Sequence, residues 1–295
     1  MLSKSLSLLL TFGFTACVSV HPPAGDIPPA AGETRGVTVA GSDLIVIGDQ
    51  GSGSSIQYDV GRGIELFCKS PNRTCDVGMT VGDNFYPSGV KSTNDKLWTT
   101  ALETPYKGLP LGFKFYPSLG NHDYGGSWES QVAYKSARWS MPNRFYRLNT
   151  PAADIFAIDT EHFDKAQQTW LQEGLKSSTK PWQVVYGHRP VYSSGAHGDS
   201  IELKTLLLPM LVKYGVEFYV SGHDHHLEAI ERDGFVQLIS GAAGKLRSVK
   251  GGKYSTFAGS VPGFLFMDFS EGAVDVSFIN AAARPLYTKR YFKRG

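Results

Sequence analysis

Three histidines fall within four positions at Gly222-His223-Asp224-His225-His226, directly after the apolar run Val216-Glu217-Phe218-Tyr219-Val220. A short apolar run closed by Ser221-Gly222 reads as a buried strand ending in a turn. Imidazoles just past the C-terminal end of a strand stand where open α/β sheets put their ligands. If the segment stays extended, His223 and His225 face one side, because side chains alternate along a strand. Two neutral imidazoles on one side suit zinc, iron or manganese. A His-x-His pair alone is weak, since solvated histidines outnumber ligands, so carboxylates from elsewhere in the chain must complete it.

The chain supplies them in a repeated context. Leu44-Ile45-Val46-Ile47 ends in Gly48-Asp49-Gln50-Gly51, and Val77-Gly78-Met79-Thr80-Val81 ends in Gly82-Asp83-Asn84-Phe85-Tyr86. Phe113 to Leu119 leads into Gly120-Asn121-His122-Asp123, and Trp182 to Tyr186 into Gly187-His188-Arg189-Pro190. Each apolar run finishes in Gly plus a residue able to hold a metal: Asp49, Asp83, Asn121, His188 and His223. Such endings at one topological position would converge on one edge of a sheet.

The segments between these runs are helix-like: 55–67, a stretch around Asn94 to Thr104, Trp128 to Trp139, a helix capped by Asp164 running through Leu175, and Ile201 to Tyr214. Ile155 to Ile158 adds another strand. After residue 234 the pattern changes to strands alone, at Val236 to Ile239, Phe264 to Met267 and Ala273 to Ser277. Strands alternating with helices, then strands alone, predict an α/β fold with mixed pairing.

The ordered motifs Gly48-Asp49-Gln50-Gly51, Gly82-Asp83-Asn84-Phe85-Tyr86, Gly120-Asn121-His122-Asp123, Gly187-His188-Arg189-Pro190 and Gly222-His223-Asp224-His225 resemble those of the purple acid phosphatases. These belong to the calcineurin-like metallophosphoesterases, and the resemblance is to the small, tartrate-resistant type over roughly residues 40 to 290. It implies a four-layer α/β/β/α sandwich of two mixed sheets with the metal site at strand C-terminal ends. It also implies two ions per subunit, Fe(III) and a divalent Fe, Zn or Mn. Asp83 would bridge both ions, Asp49, Tyr86 and His225 would complete the first, and Asn121, His188 and His223 the second. Most of the superfamily has a histidine where Gly51 stands, and Tyr86 would replace that ligand. The implied reaction is attack of a metal-held hydroxide on a phosphate monoester. His122 and His197 would act from outside the metal shell, holding phosphate and protonating the leaving oxygen. Solvation on an exposed loop is the plain alternative for His197. Gln50 and Arg189 depart from the aromatic or imidazole residues usual beside those ligands, and Arg189 could meet substrate phosphate or solvent. Asp123 and Asp224 could orient imidazoles or satisfy turn backbone, while His226 and Asp159 read as structural.

The 295 residues carry 41% hydrophobic and 19% charged side chains, enough for a sizeable core. Net charge is +2, and the basic residues are scattered apart from Lys289-Arg290 and Lys293-Arg294, which argues against a nucleic-acid binder. Residues 1–16 read as a signal peptide with a basic start and an apolar stretch too short to span a bilayer. Phe14-Thr15-Ala16-Cys17 resembles a bacterial lipobox, which would lipidate Cys17, with a Pro/Ala/Gly tether over 17–39 and one domain over 40–295. Export to a periplasm or cell surface follows, with full secretion the outcome if the lipobox fails. Export would let the remaining cysteines, Cys68 and Cys75, form a disulfide. The expected partners are small phosphorylated substrates, with membrane contact only through the lipid and a monomeric chain. A metal-dependent phosphodiesterase or nucleotidase is the alternative activity. A lipoprotein that binds metal or phosphate without turnover is the alternative from another class.

Overall fold

Strands rich in Val, Ile, Phe and Tyr carry the molecule, and the helices between them cap and cover the sheets. The computed structural model describes residues 36–41, 43–71 and 73–293. The candidate signal peptide, Cys17 and most of the expected tether lie outside the described residues. In chain order the elements are β1 Val37–Thr38, β2 Asp43–Ile47, α1 Ser55–Cys68, β3 Val77–Val81, β4 Lys114–Ser118, α2 Trp128–Ala133, β5 Tyr146–Asn149, β6 Ala153–Ala157, α3 Lys165–Ser177 and β7 Trp182–Tyr186. There follow α4 Ile201–Leu206, α5 Leu208–Lys213, β8 Phe218–Ser221, β9 Leu227–Arg232, β10 Phe235–Ser240, β11 Ser255–Gly259, β12 Gly263–Phe269, β13 Ala273–Asn280 and β14 Pro285–Phe292.

Two mixed sheets result. One has the order β14-β13-β12-β2-β3-β4, with β2, β3 and β4 parallel and β12 antiparallel to β2. The other has the order β1-β5-β6-β7-β8-β10-β9-β11, with a parallel centre from β6 to β10. Every residue of β2 and β3 is buried, as parallel strands covered on both faces must be. Ile45, Met79, Ile155, Val184, Val220, Leu238 and Phe264 belong to one core shared by both sheets, which Val60 and Ile64 of α1 join. Leu171 and Leu175 of α3, Leu203 of α4 and Leu211 of α5 form a second core with Phe156, Val185 and Tyr219. The expected α/β/β/α layering is therefore present.

Some elements differ from the sequence expectation. Val37 and Thr38 pair with Leu148 and Asn149, so ordered structure begins before the domain boundary placed at 40. The helix expected from Trp128 to Trp139 stops at Ala133, and Trp139 instead bridges to Phe115 while Arg138 donates to the carbonyls of Lys107, Leu109 and Pro110. The helix expected from Ile201 to Tyr214 is two, broken at Leu207. Pro209 has no N–H to continue the ladder, and its ring crowds the carbonyl one turn back. The stretch around Asn94 to Thr104 forms one wide turn, Trp98–Glu103, closed by Thr104 N–H to the Thr99 carbonyl at 2.9 Å. The Cys68–Cys75 disulfide is present, with a Cα–Cα distance of 5.7 Å, and ties the end of α1 to the lead into β3.

Candidate metal centre

The ends of β2, β3 and β4 meet the ends of β7 and β8 where the two sheets face each other. Within each sheet the strand ends stay paired, by Asp49 N–H to the Gly82 carbonyl at 3.1 Å and Gly222 N–H to the His188 carbonyl at 3.0 Å. The seam is crossed by Ala243 N–H to the Gly48 carbonyl at 3.4 Å and His223 N–H to Asp49 Oδ2 at 2.9 Å. Asp49, Asp83 and His223 all have left-handed backbone, with φ of 57°, 51° and 68°. A positive φ turns the chain sharply where the strand stops, so the side chain points back over the strand ends. Gly82 has φ 84°, and a Cβ there would lie 2.6 Å from the His188 ring. Only glycine lets the imidazole come so close.

Seven expected donors gather here in two groups that share one residue. The Tyr86 hydroxyl lies 2.9 Å from Asp83 Oδ2, 3.3 Å from Asp49 Oδ1 and 3.3 Å from His225 Nε2. On the other side, His188 Nε2 is 3.4 Å from Asp83 Oδ1, 3.1 Å from Asn121 Oδ1 and 3.1 Å from His223 Nδ1. Asp83 thus turns one oxygen to each group. Donor atoms of Asp49, Asp83 and His188 lie within 4.8 Å of one another. The segment carrying His223 and His225 is a tight turn rather than extended chain, with Asp224 N–H bonded to the Gly222 carbonyl. That turn sends one imidazole to each group, whereas an extended strand would have sent both to the same side.

Electrostatics prepare these atoms for cations. Asp49 and Asp83 are buried, and among the described residues their ion-pair partners are all imidazoles. Carboxylates taken out of water demand positive charge. Burial, then Asp49 and Asp83, push the Tyr86 phenol far above its ordinary pKa, so only a strongly positive neighbour would draw off its proton. Burial, then His188, Arg189, His197 and His225, push His223 well below its ordinary value, which leaves a neutral imidazole with a free lone pair. Burial alone would lower His188, but Asp83 and Asp49 raise it. Its Nδ1 faces the Val81 carbonyl at 2.9 Å, so Nδ1 holds the proton and Nε2 turns to the centre. The mixed oxygen and imidazole donor set therefore fits a pair of borderline-to-hard transition-metal cations.

The outer residues line a cleft of about 290 Å³ together with Asp83, Tyr86, Asn121, His223 and His225. His122 donates from Nδ1 to the Pro87 carbonyl at 2.6 Å, and its Nε2 stands 3.9 Å from Asp83 Oδ2. His197 lies in the same cleft, its ring 4.2 Å from that of His223 and its backbone N–H bonded to Asp224 Oδ1 at 3.0 Å. Burial, assisted by Arg247, keeps its pKa below the ordinary value. Asp123 accepts from the N–H groups of Asn84, Phe85 and Gly120, so it holds two turns together. Asp224 takes the Ser193 hydroxyl at 2.6 Å and secures the His197 loop. Arg189 is bound to Glu161 through two bonds of 2.8 Å, while its side chain stays 32% exposed and its Nη1 lies 3.4 Å from His223 Nε2. Gln50 donates to Asn84 at 3.2 Å. His226 is buried against Glu228 at 2.9 Å, and Asp159 pairs with the buried Arg144 at 2.8 Å. Lys245 and Arg247 also line the cleft, and the sequence reading passed over them. The glycine-flanked run Gly241-Ala242-Ala243-Gly244 after β10 was the available signal.

The family model described as calcineurin-like phosphoesterase matches residues 43–227, a span that includes all seven donors. The chain belongs to that family. It is 30% identical over 256 residues to tartrate-resistant acid phosphatase type 5 of Oryctolagus cuniculus, covering 73% of this chain and 79% of the relative. It is 32% identical over 280 residues to purple acid phosphatase 17 of Arabidopsis thaliana, covering 82% and 78%. GAP50, the anchor in the inner membrane complex of Plasmodium, is similar in structure with a TM-score of 0.77 at 24% identity, covering 86% of this chain and 89% of that one. This last likeness concerns the fold alone. The chain is a phosphoesterase hydrolase of the acid phosphatase type.

Proposed function

We propose that the chain is an exported acid phosphatase that hydrolyses phosphate monoesters at a dinuclear Fe(III)–M(II) centre, M being Fe, Zn or Mn. The observation that carries this reading is Asp83, whose two oxygens face two separate donor groups. Asp49, Tyr86 and His225 would hold the ferric ion, and Asn121, His188 and His223 the divalent one. When bound, the pair supplies Lewis acidity to the phosphoryl oxygens and activates water. His122, with Nδ1 fixed on Pro87, presents Nε2 to the cleft to bind phosphate and protonate the leaving oxygen. His197 backs it from the opposite loop. The Cys68–Cys75 disulfide supports an oxidising compartment. The partners proposed are small phosphorylated molecules, met by a monomeric chain.

The test is spectroscopic and kinetic. Aerobically purified protein should contain iron, show a visible phenolate-to-iron absorption band, and hydrolyse p-nitrophenyl phosphate faster than bis-p-nitrophenyl phosphate. Tyr86→Phe should abolish the band. A colourless, iron-free wild type without phosphatase activity overturns the reading, and a faster rate on the diester moves it to a phosphodiesterase.

A further inference from the structure

Asn121 Oδ1 and His188 Nε2 face each other at 3.1 Å, yet they come from different sheets, one after β4 and the other after β7. Their spacing depends on the groups that span the two turns. The loop 159–164, between β6 and α3, spans them. At one end the Tyr124 hydroxyl, just past His122, donates to Asp159 Oδ2. At the other, the buried Thr160 hydroxyl oxygen accepts from Arg189 N–H at 2.9 Å, next to His188. Glu161 adds its two bonds to the Arg189 side chain.

The loop itself is firmly held. Asp159 Oδ2 also takes Arg144 Nη1 at 2.8 Å, and Arg144 Nη2 reaches Asp164 Oδ2 at 2.7 Å. Gln167 of α3 accepts from Asp159 N–H at 2.6 Å and donates to the Asp159 and His162 carbonyls at 3.0 Å. The Tyr124 ring packs edge-on against the His162 ring, with centroids 4.5 Å apart. β4 has separate ties to the eight-stranded sheet, from the Tyr146 hydroxyl to the Pro117 carbonyl at 2.7 Å and the Tyr186 hydroxyl to the Tyr116 carbonyl at 3.1 Å. Those bonds hold the strand and stop short of Asn121. The turn that follows is anchored to the Asp83 side by Asp123, which accepts from Asn84 and Phe85 N–H, and by His122 N–H to Asp83 Oδ1 at 2.9 Å. Toward His188, the Tyr124 hydroxyl anchors it.

We propose that the loop 159–164 is a spacer for the divalent side of the centre, with Tyr124 and Thr160 as positioning residues that hold Asn121 and His188 at the separation a shared cation needs. This deepens the dinuclear reading above and rests on it. Donors about 2.1 Å from one ion stand roughly 3.0–3.4 Å apart, from right-angled to tetrahedral geometry. The 3.1 Å between Asn121 Oδ1 and His188 Nε2 meets that condition. Such a site works only while its donors stay within about 0.5 Å of the productive geometry, and donors on separate sheets lose that if their turns drift independently. Arg189, gripped by Glu161 and 3.4 Å from His223 Nε2, carries the same control to His223. Asp49, Asp83 and Tyr86 follow strands of one sheet, and none of the spacer's bonds described above reaches them. The spacer therefore acts on the divalent donors and leaves the ferric ones where they are.

The experiment deletes one hydroxyl at each end of the spacer, in Tyr124→Phe and Thr160→Val, with no change of charge and little change of shape. Each iron-loaded protein is titrated with Zn(II) against a competing chelator. Both variants should bind zinc about tenfold or more weakly than wild type, while the visible phenolate-to-iron band stays in place. Thr160→Ser keeps the hydroxyl and should bring zinc affinity back to within about threefold of wild type. Val276→Ala, buried on β13 three strands from β4, controls for lost stability: it should melt earlier and bind zinc as wild type does. A crystal structure of metal-free Tyr124→Phe gives a readout without metal, in which Asn121 Oδ1 should stand more than about 0.5 Å further from His188 Nε2. Zinc affinity within about twofold of wild type in both variants overturns the proposal, as does equal weakening in Val276→Ala or a band lost along with the zinc. A wild type that takes up no iron and shows no band refutes the dinuclear reading instead, and the metal-free structure still decides whether the spacer holds the two turns.

Discussion

Gly51 fills the place where most of the superfamily carries a metal-binding histidine, and its surroundings explain more than the loss of a ligand. A Cβ added there would sit 1.8 Å from the Asn84 carbonyl oxygen, 2.3 Å from the Asn84 carbonyl carbon and 2.6 Å from Phe85 Cα. These are backbone atoms of the turn bearing Asp83 and Tyr86, and Tyr86 N–H is bonded to the Gly51 carbonyl at 2.8 Å. No side-chain rotation relieves the overlap, because only the turn itself can move. To restore ordinary contact it must retreat by more than an ångström. Overpacking of this kind costs about 1–3 kcal/mol, which for a chain of this size lowers the melting temperature by roughly 2–12 °C. The effect on catalysis should be larger, since a misplacement of about 1 Å costs about a hundredfold in rate. Gly51→Ala should therefore keep the fold, lose about two orders of magnitude in kcat on p-nitrophenyl phosphate, and show a shifted or weakened visible band. Circular dichroism melts, iron analysis and steady-state kinetics on the same preparation separate these effects. Wild-type kcat with an unshifted band would refute the reasoning, because it would mean that the turn yields without disturbing Asp83 and Tyr86.

Glu228 is buried and accepts from His226 Nε2 at 2.9 Å, Ser194 N–H at 3.1 Å and Ser194 Oγ at 2.6 Å. Glu228→Gln puts donors against donors and should cost about 2–3 kcal/mol at neutral pH, read by chemical denaturation. Burial alone would raise the Glu228 pKa, but the bonds from His226, Ser194 and Ser255 hold it below the ordinary 4.5. The carboxylate therefore stabilises the fold above the unfolded-state value, and the advantage over Gln should shrink as the pH falls below about 4.5; a gap that widens on acidification contradicts the assignment. Replacing both Cys68 and Cys75 by Ala opens a loop with a sequence separation of 7, and should lower stability by about 2.5 kcal/mol in the loop-entropy account. Urea unfolding of the variant against reduced and oxidised wild type measures it, and a loss under about 0.5 kcal/mol contradicts that account.

The parts of the molecule legible in its sequence are those where local pattern and chemistry coincide. β2, β3 and β7 are apolar on both faces and end in Gly plus a donor, so each strand and its donor are read from one stretch. Asp164 caps α3 by accepting from Gln167 N–H at 2.9 Å, and that signal is also local. The parts that stayed hidden depend on long-range partners. β11 and β14 lie at sheet edges and are half exposed, so their apolar pattern is diluted. The turn at His223 is set by its N–H donating to Asp49 Oδ2, 2.9 Å away across 174 residues, which no local pattern encodes. Arg189 pairs with Glu161 28 residues away while also reaching His223, and no local pattern encodes that pairing either. Lys245 and Arg247 lie on a loop whose position is set by Ser52, Ser54 and His225, so the glycine-flanked run before it marks a turn but not its nearness to the cleft.

The left-handed backbone at Asp49, Asp83 and His223 has a consequence for how such a chain can change over generations. Each non-glycine residue held there costs the fold about 1 kcal/mol or more, and the buried carboxylates add their mutual repulsion. Asparagine or glycine would sit more comfortably at Asp49 and Asp83. Catalysis and stability thus pull these positions in opposite directions. A descendant released from hydrolysis would gain stability by losing its acids first, while the seam between the sheets stayed intact. The presence of both acids at strained positions is therefore accounted for by chemistry rather than by folding.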